Sequence, residues 1–293
     1  SASRQLMPLA YAASVGGIIT LVGTPPNIIV SGALSASGYE PFSFFEFAWI
    51  GIPLSIVAIL YMIFIGKYLL PKAELAADQV IEQEIEVTVQ DSKKQIISGL
   101  ILAVVVIVMA LDLKSITLEM AAIIGALVCV LTGCLTEKQA YSSIDWVTIF
   151  LFAGMMPVSM AMDKTGAGKL IAEWAVSMMG GTPNPIVMTA VLFIISCTLT
   201  QFMSNTAASA LLAPVGIAIS HQLGASPKAV LMAIGVAASC AFATPVGTPP
   251  CTLVLGPGNY KFMDYVKVGI PLVIICFVVS IIIIPLVWPF FPG

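Results

Sequence analysis

Charged residues are scarce in this sequence of 293 residues: Asp, Glu, Lys and Arg make up 9% of it, whereas hydrophobic residues make up 59%. A soluble domain of this size carries about 25% charged residues, so the scarcity excludes a protein whose only solvent is water. The formal net charge is −3, and the 12 Lys and Arg residues are scattered. Since the sequence has no basic patch, we expect no nucleic-acid partner.

The sequence also has few histidines, and it has no closely spaced pair of cysteines. His221 is the only histidine, and we expect an interfacial or packing role for it rather than a proton relay. The six cysteines lie in or beside apolar runs without a Cys-x-x-Cys pair, so we interpret them as packing residues rather than disulfides or metal ligands. The sequence also lacks a Ser/His/Asp set, a metal-ligand cluster and a P-loop. We therefore expect no enzyme and no cofactor.

Apolar runs fill most of the sequence. A bilayer core about 30 Å thick requires runs of about 17–25 apolar residues, and such runs predict an all-α polytopic membrane protein. One acidic, polar stretch at 72–95 interrupts them, and we interpret it as a solvated linker. Lys and Arg are more numerous on the side that holds this linker, which predicts that the linker is cytoplasmic.

An internal repeat is the most informative pattern. Val-Gly-Thr-Pro-Pro at 22–26 recurs at 246–250. Further matches keep the same order on both sides, and they pair 12–14 (Ala-Ala-Ser) with 237–239, Glu46 with Asp264, and 51–54 (Gly-Ile-Pro-Leu) with 269–272. Such an ordered series indicates a duplicated unit.

In each copy the Gly-Thr-Pro-Pro motif falls in the middle of an apolar run. A pair of prolines breaks a helix there, and broken backbone at membrane depth is tolerated only where it lines a cavity or binds a ligand. Interrupted spans in corresponding halves are the sequence signal of a transporter site at the repeat interface. Two independent proline kinks would be the alternative, but both breaks share the same residues.

A polar tripeptide, Ser204-Asn205-Thr206, separates two apolar arms at 185–203 and 207–219. The second arm is short for a full span, so we predict a re-entrant hairpin with its tip at the bilayer midplane. The two broken helices then cross the bilayer in opposite directions, as an inverted repeat requires. If both arms cross fully, the broken helices run parallel. The hairpin of the first copy is expected upstream of Ser1.

These patterns divide the chain into three parts. Residues 1–71 are the end of a first repeat, with a broken helix and one span; residues 72–95 are the linker; residues 96–293 are the second repeat. The second repeat is expected to hold three spans, an interfacial helix at about 166–179, the re-entrant hairpin at about 185–221, a broken helix at about 227–257 and a last span at about 266–291.

The Ser-Asn-Thr hairpin tip followed by a span broken at Gly-Thr-Pro-Pro resembles the divalent anion/sodium symporter family, which includes sodium–sulfate and sodium–dicarboxylate transporters. The segments at 7–9 (Met-Pro-Leu), 144–146 (Ile-Asp-Trp) and 262–269 look like that family too, so the resemblance covers essentially the whole chain. It implies an inverted-repeat transporter that works by an elevator-type alternating-access mechanism. It also implies a homodimer in the cell (inner) membrane.

The resemblance also implies site residues. Sodium-binding positions would be Thr200, Met203 (through its carbonyl), Asn205, Gly247 and, in the first copy, Gly23. Substrate-binding positions would be Ser204, Asn205, Thr206, Thr248, Pro249, Thr24 and Pro25. Cys251 stands where the first copy has Asn27, which puts a polar contact on that side in doubt.

These positions include no Arg or Lys, although a divalent anion is the expected substrate. A buried Arg is costly at the bilayer centre, whereas hydroxyls, an amide and free N–H groups at broken-helix N-termini are neutral donors. Sodium ions would then supply the positive charge as coupling ions. Moving a dianion into a cell against 100 mV costs about 4.6 kcal/mol, and two sodium ions cancel that cost.

The sequence thus predicts sodium-coupled symport of sulfate or of a di- or tricarboxylate. A proton-coupled or exchange-type carrier on the same fold is a second reading. A non-transporting membrane scaffold or sensor is a third. Which anion is carried, and in which direction, the sequence leaves open.

Overall fold

The computed structural model describes residues 3–71, 92–111, 116–144 and 184–291, with scattered positions between 146 and 177. All regular structure in these ranges is helical. The helices are α1 (Ser3–Gly17), α2 (Pro25–Ala36), α3 (Ala48–Tyr61), α4 (Ser92–Ala110), α5 (Leu118–Leu131), α6 (Glu137–Ser142), α7 (Pro185–Thr200), α8 (Asn205–Leu223), α9 (Pro227–Ala238), α10 (Pro249–Leu255) and α11 (Phe262–Val287). A π-helical turn, Met62–Gly66, and a last turn, Lys67–Leu69, continue α3.

Within these ranges, four helices are long and apolar enough to cross a membrane: Ala48–Leu69, Lys93–Ala110, Asn205–Leu223 and Phe262–Val287. Shorter apolar helices accompany them at Leu118–Leu131, Pro185–Thr200 and Pro227–Ala238. Many of their large apolar side chains are exposed, as lipid-facing residues are. The prediction of an all-α polytopic membrane protein is confirmed.

The chain forms two compact units, Ser1–Leu75 with Phe150–Gly293, and Ala76–Ile149. In the smaller unit α4 packs against α5, and Gly125 lets Val105 approach the backbone of α5 closely. A capping box between Thr136 and Gln139 starts α6. The larger unit contains both copies of the repeated motif.

Both copies of Gly-Thr-Pro-Pro interrupt a helix, as predicted. In the first copy α1 ends at Gly17 and α2 begins at Pro25; in the second α9 ends at Ala238 and α10 begins at Pro249. The threonine before each proline pair is extended, with φ −147° and ψ 141° at Thr24 and φ −133° and ψ 145° at Thr248. A residue before proline is driven out of the helical region by the proline ring, so the same local chemistry restarts a helix twice.

The span that follows each break packs on it in the same way. A Cβ atom at Gly51 of α3 would lie 2.7 Å from the Cα atom of Ile19, and one at Gly269 of α11 would lie 2.0 Å from the carbonyl oxygen of Phe242. Only glycine allows helix and broken backbone to come this close. The repeated Gly-Ile-Pro-Leu segments therefore have equivalent positions, so the sequence repeat is also a structural one.

The hairpin joins α7 to α8 through residues 201–204, and its tip lies beside the break between α9 and α10. Its second arm is longer than the sequence pattern indicated, because α8 runs for 19 residues, from Asn205 to Leu223. At about 1.5 Å per residue such a helix can cross a bilayer core. The second arm is therefore not too short to cross the bilayer, and re-entry of the hairpin stays a prediction.

Other predicted boundaries are only partly covered by the described residues. The interfacial helix at 166–179 lies largely outside them, and so does most of the linker at 72–95. The last residues of that linker, from Ser92 on, belong to α4 instead. Around the breaks, α2 packs against α8 and α9, and α9 packs against α7 and α11. The broken helix of the first copy therefore lies against the hairpin of the second.

Candidate functional site

The two helix breaks face each other. The hydroxyl of Ser14 in α1 lies 3.4 Å from the hydroxyl of Thr248, and the hydroxyl of Thr24 lies 3.4 Å from that of Ser239, which follows α9. Ser14 and Ser239 are equivalent in the repeat, as are Thr24 and Thr248. Each copy thus contributes a serine that contacts the threonine of the other copy. Such a reciprocal pair of contacts is typical of a two-fold arrangement. The two breaks are therefore in direct contact, as a shared site requires.

The helix starts at the breaks offer an anion fewer backbone donors than expected. The first two residues of α2 and of α10 are prolines, which have no N–H group. The third N–H bonds back to the threonine carbonyl, from Asn27 to Thr24 at 3.2 Å and from Cys251 to Thr248 at 3.0 Å. The expectation of free N–H groups at these helix starts is therefore wrong. The threonine side chains make no cap hydrogen bond, so their hydroxyls remain the donors at the breaks.

Three of the predicted sodium-binding residues meet at one point beside the second break. Thr200 ends α7 and is fully buried, and its Oγ1 donates to the carbonyl of Ala238 at 2.9 Å. Asn205 begins α8, and its side-chain amide contacts Thr200 Oγ1 at 2.5 Å. One terminal atom of that amide also lies 2.8 Å from the carbonyl oxygen of Gly247 and 3.1 Å from that of Ala238. The hairpin tip and the break thus share one polar cluster.

The amide of Asn205 can face this cluster in two ways. With Oδ1 towards the cluster, it accepts from Thr200 and stands against two carbonyl oxygens. With the amide turned over, the two protons of Nδ2 can be donated to the carbonyl of Gly247 and to Thr200 Oγ1, while Thr200 donates to the carbonyl of Ala238. The first arrangement is a set of oxygens suited to a cation, and the second satisfies the same carbonyls without one.

The remaining residues of the tip are more accessible. Ser204 is exposed and caps α8, because its Oγ accepts from the N–H of Ala207 at 3.1 Å. Its hydroxyl proton stays available for a ligand. Thr206 is half-buried in the first turn of α8, and Met203 lies just before Ser204 with its N–H bonded to Leu199.

The other predicted residues belong to the breaks themselves. Gly23, Thr24 and Pro25 lie in the first break, whereas Thr200 and Asn205 lie beside the second. Pro25 and Pro249 begin α2 and α10, and both are exposed. The structure therefore brings Thr200, Asn205 and Gly247 of the second copy together. It places Thr24 of the first copy opposite Ser239.

Gln201 is a residue of this site that sequence reasoning missed. Its Nε2 donates to the carbonyls of Cys197 at 3.0 Å and Cys240 at 3.3 Å, and its Oε1 accepts from the N–H of Ala243 at 3.1 Å. Its own carbonyl accepts from Thr244 Oγ1 at 3.0 Å. The side chain thus holds the hairpin tip to the break. A long amide within an apolar arm was the signal that could have found it.

This architecture defines a class of protein: polytopic, α-helical, with two helix breaks and a polar hairpin tip. A model of the citrate transporter family matches the chain over residues 1–225 and 207–291. The chain belongs to this family.

Several relatives are described as transporters. One from Haemophilus influenzae, an uncharacterized transporter, is 33% identical in an alignment that covers 94% of this chain and 60% of that protein. The uncharacterized transporter YfbS of Escherichia coli is 44% identical over 170 residues, 58% of this chain and 28% of YfbS. The sodium-dependent dicarboxylate transporter SdcS of Staphylococcus aureus is 27% identical in an alignment that covers 98% of this chain and 59% of SdcS. The chain thus spans no more than about three-fifths of the length of these relatives.

Proposed function

We propose that this chain is part of a secondary active transporter that couples the uptake of a di- or tricarboxylate to sodium. The observation that carries the proposal is the cluster of Thr200, Asn205 and the carbonyls of Gly247 and Ala238 beside a helix break. Unwound carbonyls and side-chain oxygens at broken helices are the groups with which transporters coordinate sodium. The proposed site uses this cluster for the ion and the neighbouring hydroxyls for the anion.

A carboxylate is preferred to sulfate as the substrate. Membership of the citrate transporter family and similarity to a dicarboxylate transporter support this choice. Ser204, Thr206, Thr24 and Thr248 supply neutral hydroxyl donors, and the sodium ion supplies the positive charge that these residues lack. Because the ion and the anion neutralise each other in a low-dielectric site, each favours the binding of the other. Elevator-type movement and a homodimer remain part of the proposal.

Uptake of labelled succinate and citrate into liposomes that contain the protein tests this function. We expect uptake to require an inward sodium gradient, and Thr200→Ala and Asn205→Ala to raise the half-saturating sodium concentration by at least about tenfold. Thr189→Ala is the matched control, because Thr189 is equally buried in α7 and, within the part of the chain that the structure describes, its hydroxyl bonds to its own helix, at the carbonyl of Pro185. Equal sodium dependence in all three variants would refute the assigned cluster.

The two other readings of the sequence predict different results. A proton-coupled or exchange-type carrier takes up substrate without sodium, driven by a pH gradient or by internal anion. A scaffold or sensor binds without uptake. Thermal-shift measurements with sulfate, succinate and citrate, each with and without sodium, separate the anions: we expect stabilisation by a carboxylate only when sodium is present.

A further inference from the structure

Two serines outside the predicted site hold the threonine hydroxyls at the breaks. Ser14 lies in the last turns of α1 and faces Thr248, and Ser239 follows α9 and faces Thr24. Ser239, Thr24 and Thr248 are buried, at 2%, 9% and 3% exposure, and Ser14 is half-buried. Each contact joins the first half of one broken helix to the start of the second half of the other.

The serine hydroxyls at the breaks each have one proton, and its direction decides whether the facing threonine is an acceptor or a donor. Ser14 Oγ donates to the carbonyl of Ala10 at 2.9 Å, and Ser239 Oγ to that of Gly235 at 3.2 Å. A serine has one proton and two lone pairs, so Ser14 donates either to the carbonyl of Ala10 or to Thr248 Oγ1, and both acceptors are within reach. Ser239 can likewise donate to Gly235 or to Thr24, and while it donates to Gly235 it can only accept from Thr24. If the serine turns its proton to the threonine, the threonine proton is released towards a ligand.

An anion favours the second arrangement. It accepts the threonine proton, so that a chain runs from serine through threonine to the anion, and successive hydrogen bonds in a chain strengthen one another. The Ser–Thr separation of 3.4 Å is long for a hydrogen bond between hydroxyls. We expect these contacts to shorten when an anion binds, as long hydrogen bonds in empty sites often do. The prolines leave few other donors at these helix starts, so the direction of the threonine proton matters for binding.

We propose that Ser14 and Ser239 are positioning residues that orient, each from the opposite copy, the substrate-binding hydroxyls of Thr248 and Thr24. This inference rests on the proposed function, because it concerns the same carboxylate site. Each threonine is aimed by the other repeat, so neither half of the site is complete alone. The serines thereby make the threonines donors and select a ligand rich in acceptor oxygens.

The test measures succinate and citrate uptake by Ser14→Ala and Ser239→Ala at saturating sodium. We expect KM for the carboxylate to rise about three- to tenfold in each variant, the effect of one lost hydrogen bond, with a smaller change in the maximal rate. Ser14→Thr and Ser239→Thr keep the hydroxyl and are expected to restore KM. Ser14→Ala is also expected to leave the half-saturating sodium concentration within about twofold, because the cluster of Thr200 and Asn205 is intact.

Ser280→Ala is the matched control. Ser280 is fully buried in α11, and among the described residues its Oγ has no hydrogen-bond partner, so its removal should leave KM unchanged. KM values of the serine variants equal to that of the control would overturn the positioning role. If an alanine variant does not fold, the cysteine variant at that position decides by the same criterion. Failure of the wild-type protein to take up any carboxylate would instead refute the proposed function.

Discussion

The side-chain nitrogen of Asn27 donates a hydrogen bond to the carbonyl of Thr20 at 2.9 Å and a longer one to that of Ile18 at 3.3 Å. These carbonyls belong to the unwound backbone of the first break, where α1 has ended. At the second break Cys251 stands in the equivalent place and has no such amide. There Tyr11 donates to the carbonyl of Phe242 at 2.8 Å, and Gln201 reaches in from the hairpin. The two breaks share a motif but satisfy their backbones differently.

Asn27 is therefore predicted to stabilise the first break more than Cys251 stabilises the second. Asn27→Ala removes the buried side-chain donor to the carbonyls of Thr20 and Ile18 and should cost about 1–3 kcal/mol. Asn27→Asp should cost more, because it places an oxygen against two carbonyl oxygens. Cys251→Ala should cost least, because its main-chain contacts persist. Thermal unfolding in detergent measures the relative stability of the three variants. A Cys251 variant less stable than both Asn27 variants would contradict the role given to Asn27 at the first break.

Gln201→Ala is predicted to loosen the hairpin tip from the second break. The substitution leaves the N–H of Ala243 and the carbonyl of Cys240 without this partner, at a cost of about 1–3 kcal/mol for each group left unsatisfied. Because the same tip carries Asn205, we expect sodium affinity to fall as well. Limited proteolysis and sodium titration by thermal shift measure the two effects. Gln222→Ala, at an exposed position near the end of α8, is the control, and an equal response in both variants would contradict the role.

Much of this fold was predictable because it follows from covalent geometry. A proline pair within an apolar run has to interrupt the helix. The repeated Val-Gly-Thr-Pro-Pro motif therefore predicted two such breaks. The cluster of Thr200, Asn205 and Gly247 followed from the family resemblance. By contrast, the roles of Gln201, Ser14 and Ser239 depend on contacts between segments far apart in the chain, which no local pattern encodes. The lack of N–H donors at the starts of α2 and α10 was also predictable, since both proline pairs stand in the sequence.

Gly269→Ala is predicted to be strongly destabilising. Its Cβ atom would lie 2.0 Å from the carbonyl oxygen of Phe242, which is backbone and cannot move aside like a flexible side chain. Overpacking of this kind costs about 1–3 kcal/mol or more. Gly51→Ala, at the equivalent position of the first copy, should behave in the same way. Thermal unfolding and the yield of monodisperse protein measure the effect.

Gly16→Ala serves as the control for both glycine variants. Among the described residues, no heavy atom outside the adjoining backbone of α1 lies within 4 Å of a Cβ atom placed at Gly16. Alanine favours a helix over glycine by about 1 kcal/mol. We therefore expect this variant to be as stable as the wild type or more so. A destabilised Gly16→Ala, or a tolerated Gly269→Ala, would show that the close packing of α11 on the break is not what the glycine provides.

The last prediction concerns a charge pair between the copies. Lys228 Nζ lies 3.0 Å from Glu46 Oε1, with side-chain exposures of 29% and 16%. Glu46 also accepts from Trp288 Nε1 at 2.9 Å and from the N–H of Ser43 at 3.0 Å. Its repeat equivalent, Asp264, accepts from the N–H of Lys261 at 2.8 Å in the corresponding way. The Lys228 contact is thus an addition to a local cap that both copies share.

A double-mutant cycle of Glu46→Gln and Lys228→Met isolates that contact. We expect a coupling free energy of about 1 kcal/mol, at the upper end for exposed pairs because both groups are partly buried. Added salt should lower it, since the pair is still reached by solvent. Glu46→Gln should destabilise more than Lys228→Met, because the carboxylate has three partners and the lysine variant leaves two of them in place. A coupling energy near zero at low salt would mean that Glu46 acts through its cap and Trp288 alone, and that the two copies are joined at this end by packing rather than by charge.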